Sequence, residues 1–222
     1  MKAELEQTIS DRFSVSLCLR RSVVLDRTIP FYNTIMKCSD YLNSETRLPE
    51  GFSIVPYQPG FEKEWARLEY SIGDFDSPEE AEKYFAETYL KDPKLKTDIL
   101  FATDKNNEVA GLCIAWSDMR GEETVSSLHW LVVDEPYQRI GLGRALCIAV
   151  MNIYADKNAF PVYIHTQPWS WKAVLLYHSL GFRMQKSDSF SHYINEYEKA
   201  MNELRKIVPE DRYELLKQTA EE

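Results

Sequence analysis

The stretch "YQRIGLGRAL" (137–146) decides how this chain is read. It lies between the apolar run Leu131-Val132-Val133 and a helical pattern. In that pattern Leu142, Ala145, Leu146, Ala149, Val150 and Ile153 recur at steps of three and four and form one apolar face. The two glycines, Gly141 and Gly143, therefore fall at a strand-to-helix turn. Glycine suits such a turn because it takes positive φ without a Cβ penalty. A helix N-terminus also presents backbone N–H groups without intrahelical partners, and these attract anions. No Gly-Lys-Ser/Thr follows, which excludes a Walker loop, and Leu146 stands where the dinucleotide fingerprint needs its third glycine. A plain turn and a phosphate cradle both stay open as readings of this stretch.

Upstream, "TDILFATD" (97–104) and "EVAGLCIAW" (108–116) read as two strands of a hairpin turning at Lys105-Asn106-Asn107, and "VSSLHWLVVD" (125–134) as a third strand. Before them, "FSIVPY" (52–57) reads as a strand, and Phe61, Trp65, Leu68 and Ile72 mark one face of a helix. "GDFDS" (73–77) breaks that helix. Ser77-Pro78-Glu79-Glu80 then has the form of a capping box with proline at the first helical position. Downstream, "FPVYIHT" (160–166) is a short strand. Pro168 and Ser170 open a helix carrying Ala173, Leu176, Tyr177 and Leu180 on one face, and Gly181 stands at its C-terminal cap. From about Tyr193 the chain reads as charged amphipathic helix, interrupted at Pro209.

In residues 1–50, the alternation of Phe13, Val15, Leu17 and Leu19 predicts a strand and "IPFYNTIMKC" (29–38) another, before the linker-like "SDYLNSETRLPEG" (39–51). The expected division is an N-terminal extension over 1–50, packed as strands on the core, and one domain over 51–222 that includes the C-terminal helices. Interleaved helices and strands give an α/β (α+β) class with a mixed sheet.

With 222 residues, 44% hydrophobic and 27% charged, the chain can bury a sizeable core. A net charge of −9 argues against a nucleic-acid face. The four cysteines, Cys18, Cys38, Cys113 and Cys147, lack metal or redox spacing and read as reduced thiols of a cytoplasmic protein that holds no metal. The N-terminal residues are charged and no run of about 18 apolar residues occurs, so neither a secretion signal nor a membrane span is expected.

Read as Gln138-x-x-Gly141-x-Gly143 after "LVVDEPY", the opening stretch resembles the acyl-CoA signature of the GNAT superfamily of N-acyltransferases. "SWKAVLLYHSLGF" (170–182) resembles the later motif of the same superfamily in Ala173, Leu176, Tyr177, Gly181 and Phe182. Ser170 stands where asparagine is usual. The resemblance covers roughly residues 52–183, and "YIHTQPWSWKA" (163–173) is similar to bacterial members. It implies a mixed central sheet flanked by helices, with acetyl-CoA as co-substrate and no metal. Pantetheine would pair with the backbone of Leu131, Val132 and Val133, in a splay between that strand and the one at 160–166. The pyrophosphate would rest on Gln138, Arg139, Ile140, Gly141, Leu142, Gly143 and Arg144. Arg139 and Arg144 read equally well as solvated surface arginines. Ser170 would either touch the cofactor arm or cap its helix.

The resemblance also implies direct attack of a primary amine on the thioester. The amine must first lose a proton, and the departing thiolate is best protonated as it leaves. Tyr177 matches the superfamily's general acid, although it shares a face with Leu176 and Leu180 and so also fits a core residue. His129 resembles the histidine used as base by the arylalkylamine branch. Ser127 falls where the histone-acetylating branch has glutamate. By alternation His129 shares a face with Ser127, Leu131 and Val133, and Leu128, Trp130 and Val132 share the other. His129 thus reads as a base, a water-relay member or a hydrogen-bonded core residue, with His165 as a second candidate.

The loop "SIGDFDSPEE" (71–80) would face the acceptor, and its acids predict a cationic amine. The acceptor is a small-molecule or peptide amine, and a homodimer fits this class. After Gly181-Phe182 the superfamily has a strand pair. "FRMQKSDSFSHY" (182–193) supplies one or at most two short strands, which leaves residues 1–50 to provide strand or cover. Two further classes stay open: a non-catalytic acyl-CoA-binding regulatory module, and an unrelated phosphate- or nucleotide-binding α/β protein.

Overall fold

The computed structural model describes residues 27–91 and 96–222. In chain order its elements are β1 (Thr34–Cys38), β2 (Ser53–Pro56), α1 (Phe61–Ile72), α2 (Pro78–Thr88), β3 (Ile99–Thr103), β4 (Val109–Arg120), β5 (Glu123–Val133), α3 (Leu142–Asp156), β6 (Val162–Thr166), α4 (Trp171–Ser179), β7 (Arg183–Met184), α5 (Tyr197–Ile207) and α6 (Glu210–Gln218). The strand expected at Phe13–Leu19 and Cys18 lie outside the described residues. Cys38, Cys113 and Cys147 are free and buried.

All seven strands form one mixed sheet in the order β2-β3-β4-β5-β6-β1-β7. Every pairing is antiparallel except β5 with β6. The hairpin expected at Lys105-Asn106-Asn107 is built by Asp104. Its Oδ1 accepts from the N–H groups of Asn106 and Glu108 at 2.8 and 2.9 Å, and Asn107 takes φ 65°. β7 is a single short strand, and its neighbour comes from the other end of the chain. β1 inserts between β6 and β7, with Thr34 opposite Thr166 and Lys37 opposite both Tyr163 and Arg183.

Helices cover both faces. On one, α1 and α2 pack Trp65, Leu68 and Phe85 onto Phe101 and Ile114 of the sheet. On the other, α3 to α6 bring Leu146, Val150, Tyr177 and Leu204 onto Ala115, Leu128 and Ile164. Each large apolar side chain buried this way contributes roughly 1.5–3 kcal/mol. Ser77 caps α2 by accepting from Glu80 N–H at 3.1 Å. The return arm of the expected capping box is displaced by one residue: Glu80 Oε2 accepts from Asp76 N–H at 3.3 Å, not from Ser77. At the end of α4, Gly181 takes φ 101°, with Gly181 N–H donating to His178 O and Phe182 N–H to Tyr177 O, the double bond pattern of a glycine-capped helix.

The C-terminal helix starts at Tyr197 and not at Tyr193. Residues just before it are held by the approach to β1: Glu196 N–H donates to Asn33 O at 2.9 Å, and Asn33 N–H donates to Glu196 Oε2 at 3.1 Å. No helix among the described residues is long and apolar enough to cross a membrane.

One irregularity shapes the centre of the sheet. Leu112 pairs with Val132 but Ile114 pairs with His129, so Cys113 faces two residues of β5. This β-bulge puts Trp130 at φ 51°. It also overturns the alternation expected from sequence. Leu131 and Val133 pack with Leu128 on the α3–α4 side, while Trp130 and Val132 pack on the α1–α2 side. His129 follows Trp130: its ring lies near Trp116 and Trp130, at centroid distances of 6.0 and 5.5 Å. The inserted residue reverses the parity of every side chain after it.

Candidate active site

β5 and β6 pair at only two positions, Ser126 with Val162 and Ser127 with Tyr163. Beyond them β5 runs on to Val133 and β6 to Thr166 without pairing to each other. A bulge bends its strand, so the bulge at Trp130 is a local cause of the divergence. At the root of the gap the Tyr154 hydroxyl, from α3, accepts from Trp116 N–H at 2.7 Å and lies 2.7 Å from Ser127 O. A cavity of about 720 Å³ occupies the opening.

One end of this cavity is the glycine turn. Gly141 takes φ 98° as the N-cap of α3 and supplies no side-chain cap. The first N–H groups of the helix are therefore left to a ligand or water. Arg139 also takes positive φ, 65°. A Cβ at Gly141 would meet nothing within 4 Å, so the space beside that backbone is open. At Gly143 a Cβ would touch Val133 Cγ2 at 3.5 Å and Leu176 Cδ2 at 3.8 Å, ordinary contacts. Gln138 ties the turn to β5 by donating from Nε2 to Val133 O at 2.9 Å. Arg139 and Arg144 are exposed, and Arg144 donates to Ser179 Oγ at 2.7 Å. An open cradle of N–H groups at a helix N-terminus, flanked by two guanidinium groups, fits a pyrophosphate.

The predicted residues converge. Leu131, Val132, Val133, Gln138, Arg139, Gly141, Leu142, Gly143, Arg144 and Ser170 all line this cavity, as do Tyr177 and His129. Ile140 does not; it sits exposed on the outside of the turn. Ser170 makes no capping bond to α4, and its Oγ accepts from Gln167 Nε2 at 3.0 Å.

Tyr177 enters from α4 and is 6% exposed. Burial, with Cys147 and Cys113 nearby, pushes its phenol well above the ordinary range. It is therefore a protonated donor throughout the neutral range. His129 enters from β5, and its Nδ1 lies 3.2 Å from the Tyr89 hydroxyl. His165 enters from β6. Its Nε2 lies 2.8 Å from Asn33 Oδ1, and its ring stacks on Tyr193 at 3.7 Å and 11°. Burial, followed by His129 and His192, lowers the His165 imidazole to about 3. A base that weak cannot take a proton effectively near neutral pH.

The far end of the cavity holds residues the sequence did not single out, among them Phe31, Asn33, Tyr84, Trp169 and Tyr193. The "QPWS" wording offered a signal for Trp169. Phe31 and Asn33 depend on where β1 inserts, which no local pattern encodes. The acidic loop also differs from expectation. Of its acids only Asp74 lines the cavity, and it is held by Arg27 at 2.8 Å.

A family model described as "Acetyltransferase (GNAT) family" matches residues 62–182. Among solved structures, a GCN5-related N-acetyltransferase from Sphaerobacter thermophilus is similar, with TM-score 0.56 and 18% identity over 83% of this chain and 53% of that one. Glucosamine-6-phosphate N-acetyltransferase from Arabidopsis thaliana gives TM-score 0.50 and 18% identity over 65% of this chain and 99% of that one. A transcriptional regulator from Bacillus halodurans gives TM-score 0.51 and 14% identity over 62% and 95%. At these identities the likeness is one of fold, and this chain spans about half the length of the Sphaerobacter protein. No curated protein matches the sequence significantly. With the family match spanning more than half of the chain, and a mixed sheet splayed at the glycine turn, this protein belongs to the GNAT family of acetyltransferases.

Proposed function

We propose that the protein moves an acetyl group from acetyl-CoA to a primary amine by direct attack. The observation that carries this reading is the gap itself: β5 leaves β6 after Ser127, and the cavity between them joins the glycine turn to Tyr177 and His129. The side of β5 that no longer pairs with β6, from Leu131 to Val133, with Gln138 Nε2 bonded to Val133 O, is suited to bind an extended pantetheine arm as an added strand would bind. Gln138, Arg139, Gly141, Leu142, Gly143 and Arg144 would hold the pyrophosphate, with Ile140 shaping the turn from outside and Ser170 at the mouth of the gap.

His129 takes the proton from the acceptor ammonium. In the tautomer whose Nδ1–H donates to the Tyr89 oxygen, Nε2 would carry the lone pair that this step needs. The freed amine nitrogen forms a bond to the thioester carbonyl carbon. The C–S bond breaks, its electron pair stays on sulfur, and Tyr177 delivers its hydroxyl proton there. The nitrogen, cationic after attack, returns a proton to the Tyr177 phenolate through solvent, His129 releases its proton to solvent, and the products are the N-acetyl amide and CoA thiol.

Release of free thiol from acetyl-CoA, measured across a panel of primary amines, tests the proposal. Saturable release that depends on amine and yields the matching amide is the expected result. A protein that binds CoA tightly yet releases no thiol with any amine above the rate of hydrolysis would be a binding module instead.

A further inference from the structure

The cavity end remote from the glycine turn is walled by aromatic rings. Phe31 meets Trp169 edge-on, with ring centroids 5.0 Å apart at 63°. Tyr84 and Trp130 meet at 6.2 Å and 75°. Tyr193 lies parallel to His165, and Ile194 stands at the lip, 77% exposed.

Charge at this end is already compensated. Asp74 is the only carboxylate among the described lining residues. Arg27 Nη2 donates to Asp74 Oδ1 and to Ile72 O, both at 2.8 Å. The same guanidinium lies 5.0 Å over the Trp169 ring, where a ligand cation would otherwise be drawn. Glu69, on α1, is fully buried, and both its oxygens lack hydrogen-bond partners. Burial, and then Asp74, push its carboxyl well up, so it is a neutral acid and offers no counter-charge.

We propose that the acceptor is an amine with a single positive charge on a flat, apolar body, and that Arg27 sets this preference by compensating Asp74. The proposal rests on the acetyl-transfer reading of the cavity. A flat apolar body gains ring contacts with Phe31, Trp130 and Trp169. A second ammonium would be desolvated against aromatic walls with its one nearby carboxylate already engaged. A phosphorylated acceptor would meet a guanidinium whose charge is likewise engaged.

The test is binding to the CoA-loaded protein, followed by tryptophan fluorescence and thermal shift. The probes are phenethylamine, spermidine and glucosamine 6-phosphate. Phenethylamine is expected to bind at least about tenfold tighter than the other two. Arg27→Met should raise spermidine affinity by about tenfold, and Arg27→Lys should restore the wild-type order. Asp74→Asn, which removes the carboxylate charge beside Arg27, should instead favour glucosamine 6-phosphate. Stronger wild-type binding of spermidine or glucosamine 6-phosphate overturns the proposal. So does an unchanged order in folded Arg27→Met and Asp74→Asn proteins. Phenethylamine binding with no thiol release would sink the acetyl-transfer reading and keep the acceptor class. Thiol release with spermidine but not phenethylamine would do the reverse.

Discussion

The hydroxyl of Tyr89 and Nδ1 of His129 lie 3.2 Å apart, joining the residue that ends α2 to the bulged part of β5. This contact can fix the His129 tautomer. His129→Gln should lower kcat/KM by at least about 10²-fold near neutral pH and remove the acidic limb of its pH profile. The defect should shrink as pH approaches the pKa of the amine, where free base is plentiful. An unchanged profile in a stable His129→Gln protein would point to a water chain. Tyr89→Phe keeps the ring but drops the contact, and should reduce kcat about tenfold with CoA affinity unchanged.

Tyr177→Phe preserves the packing of the ring among Cys147, Val174 and Phe182. What it loses is the hydroxyl that the proposed mechanism uses to protonate sulfur. Turnover should fall by about 10²-fold or more while CoA binding stays near normal. Single-turnover rates with a thioester of lower leaving-group pKa should recover much of the loss. Full activity with acetyl-CoA would return Tyr177 to the core.

The two glycines should fail in different ways. Gly141→Ala forces an alanine to φ near 98°, and should cost roughly 1–2 kcal/mol of stability, seen in the melting curve. Gly143→Ala meets only ordinary contacts and sits at the start of a helix, so the fold should hold. Its CoA affinity should nonetheless fall by about tenfold if phosphate rests against that backbone. Titration calorimetry with CoA separates the cases, and unaltered affinity in Gly143→Ala would mark the pair as a turn only.

His165 carries a pH dependence of known sign. Folded, its imidazole is held at about 3, whereas the unfolded chain takes up that proton near 6.5. Its contribution to stability is therefore complete above about pH 6.5 and is lost as pH falls, by at most ~1.4 kcal/mol per unit. Melting temperatures recorded from about pH 7.5 down to about 5 should decline, and less steeply in His165→Asn. Parallel slopes in both proteins would place the acid sensitivity elsewhere.

What could be read from sequence was what local periodicity controls. The stripe Phe61, Trp65, Leu68, Ile72 and the cap at Gly181 became a helix and a helix end because both depend on neighbours a few positions away. The glycine turn was legible for the same reason. The face of His129 was not. Strict alternation places it with Leu131, and one inserted residue at Trp130 reverses that without leaving a mark in the pattern. The contact between His165 and Asn33 was equally hidden, since it is made across the β1–β6 pairing.

That pairing sets an order of assembly. Among the described residues β1 hydrogen-bonds only to strands that lie more than half the chain downstream, so its slot does not exist until β6 and β7 have been made. Contacts of such long sequence separation close late in folding. In a chain made from its N-terminus, the segment Thr34–Cys38 would have no β6 or β7 to pair with while the glycine turn and α3 emerge. Phe31 and Asn33 reach the cavity only when β1 docks. On the proposed function, the CoA side of the cavity would be complete before Phe31 and Asn33 add the acceptor side.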